Sequence, residues 1–179
     1  MFEKIICLKN GDTLKLREAQ EKDGALVVDF MNEVAGESDN LSFGKDEFYS
    51  NVEQEQIFLE STRKDKKSLF LLAEIDGELV AQGSLNANKR KRMKHRASFG
   101  ITVKKKFWNI GIADSMLNTF LEFAQNTGVL SVISLEVRSD NIHAIHLYEK
   151  YGFKKVGIHR NFMRIDDSYY DVDLMELYK

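Results

Sequence analysis

Ile101-Thr-Val103, followed by Lys104-Lys-Lys-Phe-Trp-Asn-Ile-Gly111-Ile-Ala113, reads as a short apolar strand running through a basic turn into a helix. The first N–H groups of a helix have no partner within it, and the helix dipole is positive there, so such an arrangement favours a phosphate group. Gly111 lets the backbone come close. Two common phosphate motifs are missing: no G-x-x-x-x-G-K with a following Ser or Thr occurs, and no G-x-G-x-x-G stands before a helix. Nucleotide triphosphate and dinucleotide readings therefore lose their usual support.

A second stretch, Leu135-Glu-Val-Arg-Ser-Asp-Asn141-Ile-His-Ala144-Ile-His-Leu147-Tyr148-Glu-Lys-Tyr-Gly152-Phe153, reads as a strand ending in an Asn N-cap and a helix stopped by a glycine. The pair resembles the GNAT-type N-acetyltransferases. Their motif A, R/Q-x-x-G-x-G/A, grips the pyrophosphate of acetyl-CoA, and their motif B carries N-x-x-A-x-x-L-Y-x-x-x-G-F. Motif B is matched completely by Asn141, Ala144, Leu147, Tyr148, Gly152 and Phe153. In motif A, Gly111 and Ala113 fit, whereas Trp108 stands where the family has Arg or Gln and Asn109 where a Gly is common. Lys104, Lys105 and Lys106 are the candidates to replace the missing charge, with a solvated turn as the alternative.

The resemblance implies an α/β (α+β, mixed) domain over residues 1–179, with a twisted mixed sheet of about six to seven strands and about four helices on both faces. It implies acetyl-CoA as co-substrate, entering between the strands that end at Val103 and Val137, with Ile101, Thr102 and Val103 bonding the pantetheine. Trp108, Asn109, Ile110, Gly111, Ile112, Ala113 and Asp114 would hold the pyrophosphate. Asn141 would bond the pantetheine or a bridging water, and Tyr148 would protonate the departing thiolate. Glu136, in an L-E-V-R context similar to ribosomal-protein N-terminal acetyltransferases, would be the general base. Each residue also has a plainer reading: Tyr148 as a packed helix-face aromatic, Glu136 as a solvent-facing side chain, Asn141 as a cap.

The composition bounds the alternatives. A chain of 179 residues suits one sizeable core, and a net charge of -2 with 30% charged residues lacks the basic excess of a nucleic-acid binder. Cys7 is the only cysteine, which excludes an internal disulfide and a cysteine metal cluster. The apolar start at Met1 is too short for a signal peptide, and no run reaches a membrane span, so the expected location is the cytoplasm, with no membrane partner. Among His95, His143, His146 and His159, only His143 and His146 share a helix face, so no metal is expected. The basic run from Lys89 to Arg96 lacks aromatic residues for stacking and reads as a solvated hairpin tip rather than a nucleic-acid site. A CoA-binding sensor without turnover stays open as the other class.

In chain order, Thr13–Leu16 reads as the first strand, Ala19–Val34 as a helix ended by Gly36, and Val52–Thr62 as a second helix. Ser68–Ile75 and Glu78–Leu85 form a hairpin through Asp76-Gly77, and Ala97–Val103 follows, so four strands precede the central helix of about Ile110–Thr127. Val129–Val137 is the next strand, parallel to the one before the helix. After the Asn141 helix, Phe153–Arg160 and Tyr169–Leu177 form a last hairpin through Asp166-Asp167. Glu33, Glu37 and Asp39, with Asp166, Asp167, Asp171 and Asp173, flank the expected amine side. As a group they favour a cationic acceptor, either the N-terminus of a basic protein or a small polyamine. A homodimer is compatible with the resemblance.

Overall fold

The computed structural model describes residues 2–179. In order, the elements are β1 (Glu3–Cys7), β2 (Thr13–Glu18), α1 (Gly24–Ala35), α2 (Val52–Lys64), β3 (Leu69–Ile75), β4 (Glu78–Ala87), β5 (Arg96–Val103), α3 (Ile112–Asn126), β6 (Val132–Arg138), α4 (Ile142–Lys150), β7 (Lys154–Ile165) and β8 (Ser168–Tyr178). The strands form one sheet in the order β1-β2-β3-β4-β5-β6-β8-β7. Only the β5/β6 pair is parallel, as the strand–helix–strand crossover through α3 requires.

The local chemistry explains most boundaries. Asp76 and Gly77, at φ 50° and 82°, make the two-residue turn that suits the right-handed twist of the β3–β4 hairpin. The Asn141 side chain caps α4 by accepting from the Ala144 N–H, and Asn51 and Gln54 form a reciprocal capping box on α2. The central helix starts at Ile112 rather than Ile110, because Asn109 and Gly111 both adopt positive φ, 65° and 96°, which an α-helix cannot contain. The first helix is also shorter than its periodicity suggests. Glu21–Asp23 form a 3₁₀ turn, and the α-helix begins at Gly24.

The sheet has eight strands rather than six to seven, and five of them precede α3 rather than four. The extra one is β1, an edge strand whose burial alternates between exposed and half-buried positions, too weakly to mark it by hydropathy. Two apolar clusters cover opposite faces. Under α3 and α4 lie Leu14, Leu16, Leu71, Leu85, Phe99, Ile133 and Leu135 of the sheet with Met116, Leu117 and Phe120 of α3. Under α1 and α2 lie Phe70, Leu72 and Leu79 with Val27, Phe30, Val34 and Leu59. Gly83 sets how closely α3 can approach: a Cβ there would lie 2.9 Å from the Gly100 carbonyl oxygen and 3.1 Å from the Phe120 ring.

The entry to α1 is held by a buried ion pair. Arg17 donates from Nη1 and Nη2 to Asp23 at 2.7 and 3.0 Å and from Nε to Glu74 at 2.8 Å, while the Gln20 N–H donates to Asp23 at 2.8 Å. Burial pushes the Asp23 carboxyl up, but Arg17 and the Gln20 N–H outweigh it and hold the group below its ordinary value. Such a group stabilises the fold above its unfolded pKa of about 3.9 and loses that contribution as pH falls through its lowered folded value. Asp23→Asn is therefore expected to cost about 3 kcal/mol at pH 7 in urea unfolding, with the gap to the parent protein closing below about pH 4. A gap that does not change with pH would show that charge is not what Asp23 contributes.

Candidate active site

The β5/β6 ladder comprises three pairs, Arg96 with Val132, Ala97 with Ile133 and Ser98 with Ser134. Both strands then continue without pairing to each other, β5 to Val103 and β6 to Arg138, each held on its outer side by an antiparallel neighbour. Their facing edges open into a cleft of about 780 Å³. Half-paired strand backbone inside a sheet is a row of donors and acceptors awaiting partners. Because successive strand residues face opposite ways, the cleft is walled from both sides of the sheet. Phe99, Ile101 and Val103 face the α3/α4 side, and Gly100, Thr102 and Glu136 the α1/α2 side.

On the α3/α4 side the cleft ends at the turn between β5 and α3. Trp108 Nε1 donates to the Val103 carbonyl at 2.8 Å, which fixes the end of β5 relative to that turn. Gly111 precedes α3 without any side-chain cap, and the N–H groups of Ile112, Ala113 and Asp114 have no acceptor among the described residues. A Cβ on Gly111 would meet nothing within 4 Å, so its left-handed φ, not crowding, is what calls for glycine. The Asp114 carboxylate forms an ion pair with Lys150, and the Tyr151 hydroxyl donates to the Asp114 carbonyl at 3.1 Å, docking α4 onto the start of α3.

Of the residues singled out from the sequence, Ile101, Thr102, Val103, Trp108, Asn109, Gly111, Ile112, Ala113, Asp114, Glu136, Asn141 and Tyr148 all border this one cleft. Ile110 instead packs against the core beneath α3. The three lysines do not border it either. Lys104 is buried and pairs with Glu33 at 2.7 Å and Glu78 at 3.1 Å, and Lys106 pairs with Glu78 at 2.8 Å. Burial would lower the Lys104 pKa, but the two carboxylates outweigh it and raise it. These cations join α1, β4 and the turn. They are not free to meet a phosphate, and the anion-binding capacity of the cleft rests on backbone N–H groups.

Tyr148 stands under the gap between the strands. Its ring lies 6.2 Å from Phe99 and 5.8 Å from Phe153, and its hydroxyl makes no hydrogen bond among the described residues. Burial pushes its pKa up to about 12, so the phenol is a proton carrier at any physiological pH. Glu136, exposed on the opposite side of the sheet, borders the α1/α2 half of the same cleft. A proton donor and a carboxylate thus flank the opening from different faces. No group of three or more His, Cys, Asp or Glu residues is placed to hold a metal among the described residues.

The α1/α2 half contains residues that the sequence did not single out. Gln82 and Ser84 of β4, Phe70 of β3, Leu41 and Phe43 of the loop before α2, and Phe162 and Met163 of β7 all border it. A bulge between His159 and Met163 places the last two there, with the Asn161 N–H donating to Asp171 at 2.8 Å. Arg138 ties this half together: Nε and Nη2 donate to Asp140, Nη1 donates to the Asp39 carbonyl at 2.7 Å, and the guanidinium lies 4.0 Å from the Tyr170 ring centre. Only Arg138 had a sequence signal, its place beside Glu136. Of the seven acids expected to flank the amine side, Glu37 alone borders the cleft. Glu33 pairs with Lys104, Asp173 with Lys155, Asp171 with Arg160 and Asp167 with Arg164.

The comparisons with known proteins agree with this geometry. An L-amino acid N-acetyltransferase of Escherichia coli is 33% identical over 105 residues, covering 59% of this chain and 65% of that protein. A ribosomal-protein-alanine N-acetyltransferase of Salmonella typhimurium is 25% identical over 130 residues, covering 73% of this chain and 76% of that protein. The chain thus spans just under two thirds of the length of the first of these relatives. A crystal structure of a GNAT-family acetyltransferase from Streptococcus pneumoniae superposes with a TM-score of 0.88 at 33% identity, over 93% of this chain and 99% of that one. No helix among the described residues is long and apolar enough to cross a membrane. Residues 29–153 match the family described as Acetyltransferase (GNAT), and the protein belongs to that family.

Proposed function

We propose that the protein moves the acetyl group of acetyl-CoA to a primary amine by direct attack, with no covalent enzyme intermediate. The observation that carries this is the cleft that crosses the sheet where β5 and β6 part, with unpartnered helix N–H groups at one end and Tyr148 and Glu136 on its two faces. The pyrophosphate would sit on the N–H groups of Ile112, Ala113 and Asp114, shaped by Trp108, Asn109 and Gly111. The pantetheine amides would pair with the free edge of Ile101 to Val103 in place of the missing strand, and the Asn141 amide NH₂, left over by its cap, would donate to the same arm. A backbone N–H at Ile101–Val103 would polarise the thioester carbonyl.

The amine nitrogen then attacks the carbonyl carbon, and the tetrahedral intermediate expels the CoA thiolate. Tyr148 gives that sulfur its proton from the α3/α4 side, and Glu136 takes the proton that the ammonium must lose, directly or through water, from the α1/α2 side. The relatives act on L-amino acids and on the alanine of a ribosomal protein, which favours an α-amino group as acceptor. The polyamine alternative loses support because, of the seven acids it would draw on, only Glu37 borders the cleft, and Glu33, Asp167, Asp171 and Asp173 are ion-paired elsewhere.

Three variants test the assignment. Gly111→Asp should weaken acetyl-CoA binding in calorimetry by at least about tenfold, while Gly111→Asn, which the left-handed backbone tolerates equally, weakens it less. Unchanged affinity in Gly111→Asp would remove the turn from the phosphate site. Tyr148→Phe should lower turnover by about 10²–10⁴-fold at unchanged acetyl-CoA affinity. Because the phenol titrates near about 12, Tyr148 should produce no alkaline fall in rate below pH 10. Equal turnover in the Phe variant refutes the role. Glu136→Gln should lose most of its kcat/KM near neutral pH, where an α-amino group of pKa about 8 is mostly cationic, and recover as the pH rises past that value. A pH–rate profile that overlays the parent enzyme leaves water as the base.

A further inference from the structure

The β4–β5 connection, at the end of the sheet away from the cleft, concentrates positive charge. Six of the eight residues from Lys89 to Arg96 are Lys or Arg, in a chain of net charge -2, and no acid stands among them. Arg96 is paired with Glu176. Lys89, Arg90, Lys91, Arg92 and Lys94 are all exposed and, among the described residues, none of them has a carboxylate partner. That separates them from Lys104, Lys106 and the bases of the last hairpin, whose charge is met within the fold. The run also holds a fixed shape. The Asn88 N–H donates to the Arg96 carbonyl at 2.9 Å, the Asn88 side chain accepts from the Arg90 N–H at 3.0 Å, and Lys91–Met93 form a 3₁₀ turn in which the Met93 N–H donates to the Arg90 carbonyl at 2.9 Å. The His95 carbonyl accepts from the N–H groups of Ser131 and Val132 at 2.9 and 3.1 Å, which ties the tip to β6. Lys66 and Lys67 adjoin it, because the Ala87 N–H donates to the Ser68 hydroxyl at 3.0 Å, and Asp65 beside them is taken up by the Lys67 N–H and the Ser68 hydroxyl.

We propose that this tip is a docking surface for the phosphate backbone of double-helical nucleic acid. A loop whose backbone is already fixed loses little freedom on binding, and the guanidinium groups of Arg90 and Arg92 present forks that match phosphate. The chemistry of the run selects a duplex. It holds no Phe, Tyr or Trp, which weighs against single strands, whose unpaired bases need a surface to stack on, whereas a duplex is gripped at its phosphates. Met93, half-buried, is its only apolar residue, so nothing is present to enter a lipid layer. A patch with neither acids nor exposed apolar side chains also lacks the mixed character with which proteins recognise one another. β5, the eight residues Arg96–Val103, separates the tip from the cleft by roughly 25 Å at about 3.3 Å per residue, so both ends of the sheet can be occupied at once.

The test is fluorescence anisotropy of a labelled duplex titrated with the full chain, beside a single strand of the same length, poly-glutamate and phosphatidylserine vesicles. Duplexes of RNA and of DNA should both bind, with micromolar affinity at about 50 mM salt and a loss of about 10²-fold at about 200 mM, as the release of about four counterions requires. Arg90→Gln combined with Arg92→Gln should weaken duplex binding about tenfold or more at the lower salt and reduce the salt slope by about two. Lys9→Gln combined with Lys45→Gln removes the same charge from exposed positions outside the tip and should leave duplex affinity unchanged. Acetyl-CoA affinity in calorimetry should be equal in the parent and both variants, which also reports that they fold, and equal again with saturating duplex present. Absence of duplex binding at the lower salt would overturn the inference. So would an equal loss in the two double variants, binding to single strands, poly-glutamate or vesicles as tight as to the duplex, or competition between duplex and acetyl-CoA.

Discussion

The structure depends on a parallel strand pair that stops after three residues. β5 is fully laddered to β4 and β6 to β8, so each is carried away from the other by the twist of its own antiparallel neighbour. The gap does not close by collapse, because Tyr148 stands beneath it, wedged against Phe99 and Phe153. A sheet interior is normally the most completely hydrogen-bonded part of a protein, and here it keeps free edges on both sides of an opening. Those edges are suited to an elongated molecule with amide groups of its own, and the helix start at Ile112 lies at one end of them.

Charge is arranged so that most of the nearby lysines, arginines and acids are paired with one another rather than turned to the opening. The basic turn after β5 looks from its sequence like a phosphate clamp, yet Lys104 and Lys106 are spent on Glu33 and Glu78, which lock α1 and β4 to that turn. Asp173, Asp171 and Asp167 of the last hairpin are likewise met by Lys155, Arg160 and Arg164. What faces the cleft is therefore mostly backbone, apolar side chains and a few isolated polar groups. In such surroundings a single hydrogen-bond donor or acceptor has more influence than it would in water.

The two sides of the sheet divide the chemistry. Tyr148 reaches the opening from the helix that packs beside the start of α3, and burial keeps its phenol protonated. Glu136 reaches it from the strand edge on the other face, beside the loop that Arg138 pins through the Asp39 carbonyl. The phenol and the carboxylate therefore stand on opposite faces of one opening, separated by the sheet itself.

How much of this was legible in the sequence follows from the range of the interactions involved. The Asp76-Gly77 hairpin, the Asn141 cap and the Gly111 turn rest on residues within a few positions of one another, so local chemistry determined them, and the parallel crossover through α3 followed from the strand–helix–strand order. The strand β1 was not legible, because an edge strand with one half-buried face leaves little hydropathy contrast. The pairing of Lys104 with Glu33 and Glu78, the loss of the acids to distant bases, and the convergence of Gln82, Phe43, Phe70 and Phe162 on one wall join residues from separate elements. The sequence by itself determined the mixed α/β fold, the family and the β5–α3 turn residues that, with Glu136, Asn141 and Tyr148, border the cleft. Only the tertiary structure decided which charges remain available there and what the acceptor half is made of, because a side chain's partner across the sheet is set by packing and register, not by its neighbours in the chain.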